Sequence, residues 1–180
     1  MNKINYQQYL QLVLLMTLLS FFGCADSYPP LETVPSVDVN RYMGKWYEIA
    51  SFPNSFQKGC NCTTAEYELK DDYVKVTNTC RKDSINGKVE QAVGKATVVE
   101  GSNNSKLKVS FFWPFKGDYW IIDLADDYSY VAVGHKSRKY LWILCRTPKM
   151  DDKTYTQIVE RIEKKAFDIT KLKKTIQVCP

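Results

Sequence analysis

Six cysteines, one histidine and one carboxylate beside a tryptophan are the residues of this 180-residue chain whose types are most open to chemistry. Catalysis would need a nucleophile with an activating base, or two carboxylates facing one another. The single histidine, His135, lies in the polar stretch "GHKSRK", which reads as a surface loop. Haem ligation would need that ring deep inside a fold, and the stretch argues against it. Most acidic residues fall on outward faces of alternating segments. Glu48, two residues after Trp46, is the one carboxylate expected to point inward. No catalytic constellation emerges, and no enzyme is expected. Cys60-x-Cys62 with further cysteines is a weak zinc pattern, and one histidine in an exported chain argues against a metal. Cys145 stands inside an apolar run and reads as a buried thiol. No cofactor is implied.

Export itself follows from the start of the chain. Residues 1–23 carry one basic residue, Lys3, and then the apolar run "LQLVLLMTLLSFFG". The run is short for a bilayer span and fits the core of a signal peptide. It ends at Gly23-Cys24, which resembles the lipobox of bacterial lipoproteins, where the cysteine becomes the lipidated first residue. That resemblance implies acylation of Cys24, and Ala25 in the following position points to a lipid-anchored, periplasm-facing place at the cell outer membrane. The alternative is an ordinary signal peptide and a secreted protein. Residues 24–40 contain Pro29, Pro30 and Pro35 and read as an extended tether.

Past the tether, short alternating segments recur at a spacing of about a dozen residues, the pattern of half-buried strands. "KWYEIAS", "TTAEYELK", "YVKVTNTCR", "VEQAVGKATVV", "SKLKVSFF", "YWIIDL", "YSYVAVGH" and "KYLWILCR" make eight in succession. The period then changes. "DDKTYTQIVERIEKK" puts Tyr155, Ile158, Val159 and Ile162 on one face, as an amphipathic helix does, and the remaining tail holds one short strand. The expected fold is all-β: an eight-stranded antiparallel up-and-down barrel over residues 41–180, with one C-terminal helix packed outside. Closure removes the exposed edges that a flat meander would leave.

An eight-stranded barrel has room inside for one small ligand. It also has an end to close. Trp46, entering on the first strand, is expected to plug that end, with Gly44 allowing the backbone to turn beside it. Arg146, after the eighth strand, is placed to stack on the indole and cap loose carbonyls. Gly44-x-Trp46, the Asp118-Tyr119 and Asp127-Tyr128 pairs and Arg146 resemble the lipocalins. "GKWYEIASFPNSFQKGC", "LKVSFFWPFKGDYW" and "YLWILCRTP" resemble the bacterial outer-membrane members, related to apolipoprotein D, and the likeness covers about Leu31 to Pro180.

Five cysteines remain after Cys24, so one stays unpaired, and spacing alone does not settle the pairing. Cys60 and Cys80 flank adjacent strand patterns, and Cys179 is placed to tie the tail to the barrel through Cys62. The family resemblance implies those same two bridges, Cys60–Cys80 and Cys62–Cys179.

Strand alternation proposes a lining. Counting back from Arg146 puts Leu144, Trp142 and Tyr140 inward. Tyr67, Val76, Asn78, Leu107, Val109, Phe111, Tyr119 and Val133 are the candidates on other strands, with Tyr140 or Tyr119 orienting a polar head group near the mouth. The resemblance implies a fatty acid or lysophospholipid as ligand, stored or carried in the cavity. The rival readings are a structural envelope lipoprotein without a ligand and an enzyme of this fold. A net charge of +5 is weak evidence for an anionic partner, but the lack of a helix-turn-helix, zinc-finger or RNA-binding aromatic signature speaks against nucleic acid. A homodimer stays open.

Overall fold

The alternating segments curl into one closed sheet in a computed structural model describing residues 28–179; the leader and Cys24 lie outside the described residues. The strands are β1 (Gly44–Ser51), β2 (Cys60–Leu69), β3 (Val74–Lys82), β4 (Val89–Val98), β5 (Lys106–Phe112), β6 (Phe115–Leu124), β7 (Tyr130–Gly134), β8 (Leu141–Cys145) and the two-residue β9 (Lys173–Lys174). A short helix α1 (Val39–Tyr42) precedes β1, and helix α2 (Asp152–Glu163) follows β8. Neighbours pair antiparallel in chain order from β2 to β8. β1 closes the ring by pairing with β8 on one side and β2 on the other.

Two apolar layers result, one on each side of the barrel wall. Inside, Trp46, Tyr67, Val76, Ile121, Val131, Val133 and Leu144 form one cluster. Outside, Ala132, Leu141 and Ile143 of β7 and β8 meet Ile158 and Ile162 of α2. The period-two pleat of the wall thus faces the helix's own apolar stripe. Asp151 caps the helix by accepting from the backbone N–H of Thr154 at 2.9 Å.

A bulge between Glu48 and Ala50 changes which face β1 presents. Trp46 and Glu48 point inward below it, whereas Ala50 joins the outer layer above it. Above the bulge β1 leaves β2 and pairs with β9 instead, Ala50 opposite Lys174 and Ser51 opposite Lys173. The Gln177 side chain fills the parting, its Nε2 donating to the carbonyls of Glu48 at 2.8 Å and Thr63 at 2.7 Å. The Cys62–Cys179 bridge holds this tail in place, and Cys60–Cys80 joins β2 to β3. Cys145 is free and buried.

The observed elements differ from the sequence reading in three places. β6 begins at Phe115 rather than Tyr119, because Phe112 pairs with Phe115 around a two-residue turn. Leu69, which alternation in "TTAEYELK" puts on the same face as Ala65 and Tyr67, is exposed at the end of β2. The expected tether is docked from Pro29 onward: Leu31 and Val37 are buried, and the N–H groups of Val34 and Val37 donate to Ile121 and Asn103 at 2.9 and 3.0 Å. Prolines fixed the segment's extended shape, but its spaced apolar residues found berths, Leu31 in the outer layer and Val37 in the inner cluster at the closed end.

Candidate functional site

Closure of the lower end begins with Gly44, whose φ of +89° lets the chain turn directly from α1 into β1. A Cβ there would lie 3.5 Å from Arg146 Nη1, so the missing side chain also leaves the guanidinium its berth. Two residues on, Trp46 is fully buried, and its indole N–H donates to the Tyr42 carbonyl at 2.9 Å. Arg146 places its Cζ 3.8 Å from the indole ring centre. Its nitrogens donate to three backbone carbonyls: Arg41 at 2.6 Å, Lys45 at 3.1 Å and Tyr128 at 3.4 Å. One side chain therefore joins α1, β1 and the β6–β7 turn beneath the barrel. Burial lowers the Arg146 pKa, with Tyr42 acting the other way, yet a guanidinium stays charged in either case.

Beside the indole lies a floor of three phenols, the Tyr42 ring centre 5.2 Å from that of Trp46. Tyr119 Oη is 2.7 Å from Tyr42 Oη and 2.8 Å from Tyr67 Oη. Three hydroxyls sharing two hydrogen bonds leave one proton free to donate upward. Burial pushes all three phenols up, Tyr67 to about 12, although the hydrogen bond with Tyr119 offsets part of its rise. Tyr119 was expected near the mouth. It is on the floor because it pairs with Leu107, one residue into β5 from the closed end. Tyr42 escaped the sequence reading altogether, since it precedes the first strand; its only signal is its place four residues before Trp46.

Higher up, the inward faces change character. Val76 and Val133 are buried, but Asn78, Val109, Phe111 and Trp142 are only half-buried although they face inward. Inward side chains that keep accessible area belong to an interior that is not packed solid. Gly94 gives the Phe111 ring its place: a Cβ at this position would stand 2.7 Å from the Ser110 carbonyl oxygen and 2.8 Å from that ring. Thr63 is buried like Ala65 and Tyr67 further along β2, and its Oγ1 has no hydrogen-bond partner. Nothing in the sequence marks it.

Near the rim, Tyr140 and Trp142 stack with ring planes 7° apart, and Phe56 packs against both. The Trp142 indole N–H donates to Gln57 Oε1 at 2.8 Å, and Gln57 Nε2 donates to Glu48 Oε2 at 2.7 Å. Ser51 and Thr175 also donate to this carboxylate, at 3.0 and 2.5 Å. Glu48 does point inward as expected, and its oxygens are occupied by structural donors that tie β1 to the first loop and the tail. His135 lies at the barrel's outer edge, its Nε2 3.6 Å from the Asp118 carboxylate, which Lys108 and Lys136 also face. Burial holds the His135 pKa below its usual value, and Asp118 counteracts this in part.

Two consequences can be measured. Replacing Arg146 by Ala removes the stack and strands three carbonyls, and should destabilise the fold by about 3 kcal/mol. For a chain of this size the melting temperature should then fall by roughly 6–12 °C; Arg146→Lys should recover only part, because an ammonium cannot reach all three acceptors. The phenol floor should be visible in an alkaline absorbance titration. The folded-state pKa values are raised, so the stabilisation is complete below the ordinary value of 10.0 and is lost as pH climbs through about 12 for Tyr67. These phenols should therefore ionise late, together with unfolding, and Tyr119→Phe should move that transition to lower pH.

Comparison with known proteins gives this geometry a family. The model of a lipocalin-like domain matches residues 37–177. The chain is 42% identical to temperature-induced lipocalin-1 of Arabidopsis thaliana over 156 residues, which is 82% of this chain and 83% of that protein. It is 36% identical to the outer membrane lipoprotein Blc of Vibrio cholerae, over 89% of this chain and 94% of the relative. It is 34% identical to apolipoprotein D of Bos taurus, over 94% and 96%. Among solved structures, insecticyanin from Manduca sexta shares the fold with a TM-score of 0.67 at 20% identity, covering 82% of this chain and 85% of that one. Barrel order, indole–guanidinium closure and matched length agree: the chain belongs to the lipocalin family.

Proposed function

We propose that the barrel takes up the acyl chain of a fatty acid or lysophospholipid and stores or carries it at the cell outer membrane. Lipocalins bind small hydrophobic ligands, and the relatives named Blc are outer membrane lipoproteins. The observation that carries the reading is the contrast along the barrel axis. The bottom is filled by Trp46 and three bonded phenols, while Val109, Phe111 and Trp142 above them keep accessible inner surface. An acyl chain entering from the rim would bury that surface, gaining about 25 cal/mol per Å². Its charged or polar end would remain at the mouth, beside Tyr140.

Thr63 supports the same reading. An unpartnered buried hydroxyl costs about 1–3 kcal/mol, and the ester or hydroxyl of a lysophospholipid, or a water carried with it, would relieve that cost. Tyr67, Val76, Asn78, Val109, Phe111, Tyr119, Val133, Tyr140 and Trp142 are the proposed ligand contacts, with Tyr119 reaching only the tip of the chain. The anchor is assigned to Cys24, with residues 1–23 as its cleaved leader. Among the described residues no helix is long and apolar enough to cross a membrane.

Native mass spectrometry of the protein isolated from its membrane tests the reading. A bound lipid of acyl-chain type should be released and identified by extraction. Val109→Trp, which fills the middle of the barrel without touching its closure, should lower fatty-acid affinity by about tenfold or more, the equivalent of about 1.4 kcal/mol. A lipid-free protein, with no change in Trp142 fluorescence on adding fatty acid, would favour a structural lipoprotein instead.

A further inference from the structure

The rim of the barrel carries aromatic surface that the ligand site does not use. Phe112, Trp113 and Phe115, at the β5–β6 turn, are 78%, 90% and 76% exposed. Phe56 in the β1–β2 connection is 64% exposed and rises from the same end. The sides and the closed end of the barrel present no cluster of large exposed rings to match it among the described residues. Exposed aromatics at one end of a soluble domain are costly to keep in water, and a rigid ring with one polar edge suits the boundary between water and lipid.

Charge follows the same axis. The mouth end carries exposed Lys58, Lys88, Lys116, Lys136 and Lys139, with Asp83 and Glu90 as the exposed acids among them. Segments at the closed end carry Asp38, Asp71, Asp72, Glu100, Asp126 and Asp127, together with Arg41, Lys70 and Arg146. One end therefore offers rings set among an excess of cations, whereas the opposite end carries both signs with acids in excess.

The path of the N-terminal segment agrees. Arg138, in the β7–β8 connection at the mouth, donates to the Pro29 carbonyl at 2.7 Å and faces the Tyr28 ring at 5.5 Å. From that point the chain runs to the closed end, where the Val37 N–H donates to Asn103. The described chain thus enters at the open end. Four residue steps separate Tyr28 from Cys24, at most about 14 Å of extended chain.

We propose that the mouth of the barrel docks directly onto an anionic phospholipid bilayer, with Trp113 and its neighbouring phenylalanines in the interfacial layer and the lysines against the headgroups. The cavity then opens onto the membrane, and a lipid passes between bilayer and barrel without crossing bulk water. The short reach of the anchor uses the Cys24 assignment made above; the aromatic and charge arguments are independent of it.

The test uses protein isolated from its membrane and reconstituted on phosphatidylethanolamine–phosphatidylglycerol vesicles containing phospholipid brominated along its acyl chains. Trp113 emission should be quenched, and the loss of that quenching in Trp113→Phe assigns the signal, because Trp46, Trp120 and Trp142 remain. Phe112→Ser with Phe115→Ser should reduce Trp113 quenching several-fold. Protein removed from its anchor by proteolysis before Tyr28 should bind the vesicles on the order of 100-fold less well after those two changes and Trp113→Ser. Replacing phosphatidylglycerol by phosphatidylcholine, or raising salt so that the screening length falls from about 10 Å to about 3 Å, should also weaken it. Protein that floats with the vesicles while Trp113 stays unquenched overturns the docking and leaves the anchor standing; failure of both overturns both. Displacement of a fluorescent fatty acid, measured without vesicles on the Phe112→Ser, Phe115→Ser protein, should be unchanged, and its failure in the unaltered protein would count against the carrier reading alone.

Discussion

Everything in this barrel rests on a cation held over an indole. Arg146 lies against Trp46 at 3.8 Å and spends its remaining donors on carbonyls from three separate segments. An isolated stack of this kind is worth at most about 2 kcal/mol. Its importance is geometric. A closed sheet needs its first and last strands to meet, and Arg146, just past β8, binds the carbonyls on either side of the start of β1. Gly44 makes the arrangement possible twice over, through its positive φ and through the space it leaves for the guanidinium.

With the lower end sealed, the interior can be graded from filled to open. The phenol floor is buried but satisfied, so it can sit in an apolar barrel without the cost of orphaned hydroxyls. Above it, Val109, Phe111 and Trp142 are only half-buried, and Gly94 on β4 makes the room that the Phe111 ring takes up. The bulge in β1 supplies the other half of the design. It turns Ala50 outward to the helix layer and lets the tail occupy the gap, with Gln177 bonded to both separated strands. The wall is therefore continuous, and the Cys62–Cys179 bridge keeps the inserted tail from leaving.

Much of this was legible before any coordinates. Period-two alternation located all eight barrel strands, and the shift in period at Asp151 located the helix, because each pattern follows directly from which face is buried. The roles of Gly44, Trp46 and Arg146 were legible from residue type and order along the chain. Tyr119 was assigned to the wrong height, since alternation tells which face a residue occupies but not how far along the barrel axis it lies. Gln57 and Thr63 left no trace, and Tyr42 left only its spacing from Trp46, as their parts depend on contacts with segments distant in sequence. The Pro-rich stretch misled in the opposite direction: composition reported its extended backbone, while the docking of Leu31 and Val37 depended on berths that exist only after the barrel has formed.

The claim at the centre is that an acyl chain occupies the hollow above the three phenols. The most direct measurement is an NMR titration with stearate carrying a nitroxide at the end of its chain. The account predicts selective broadening of the Val76 and Val109 methyl signals and of the Tyr119 ring, deep in the barrel. Broadening confined to Phe112, Phe115 and other groups at the outer rim, with those interior signals untouched, would contradict it.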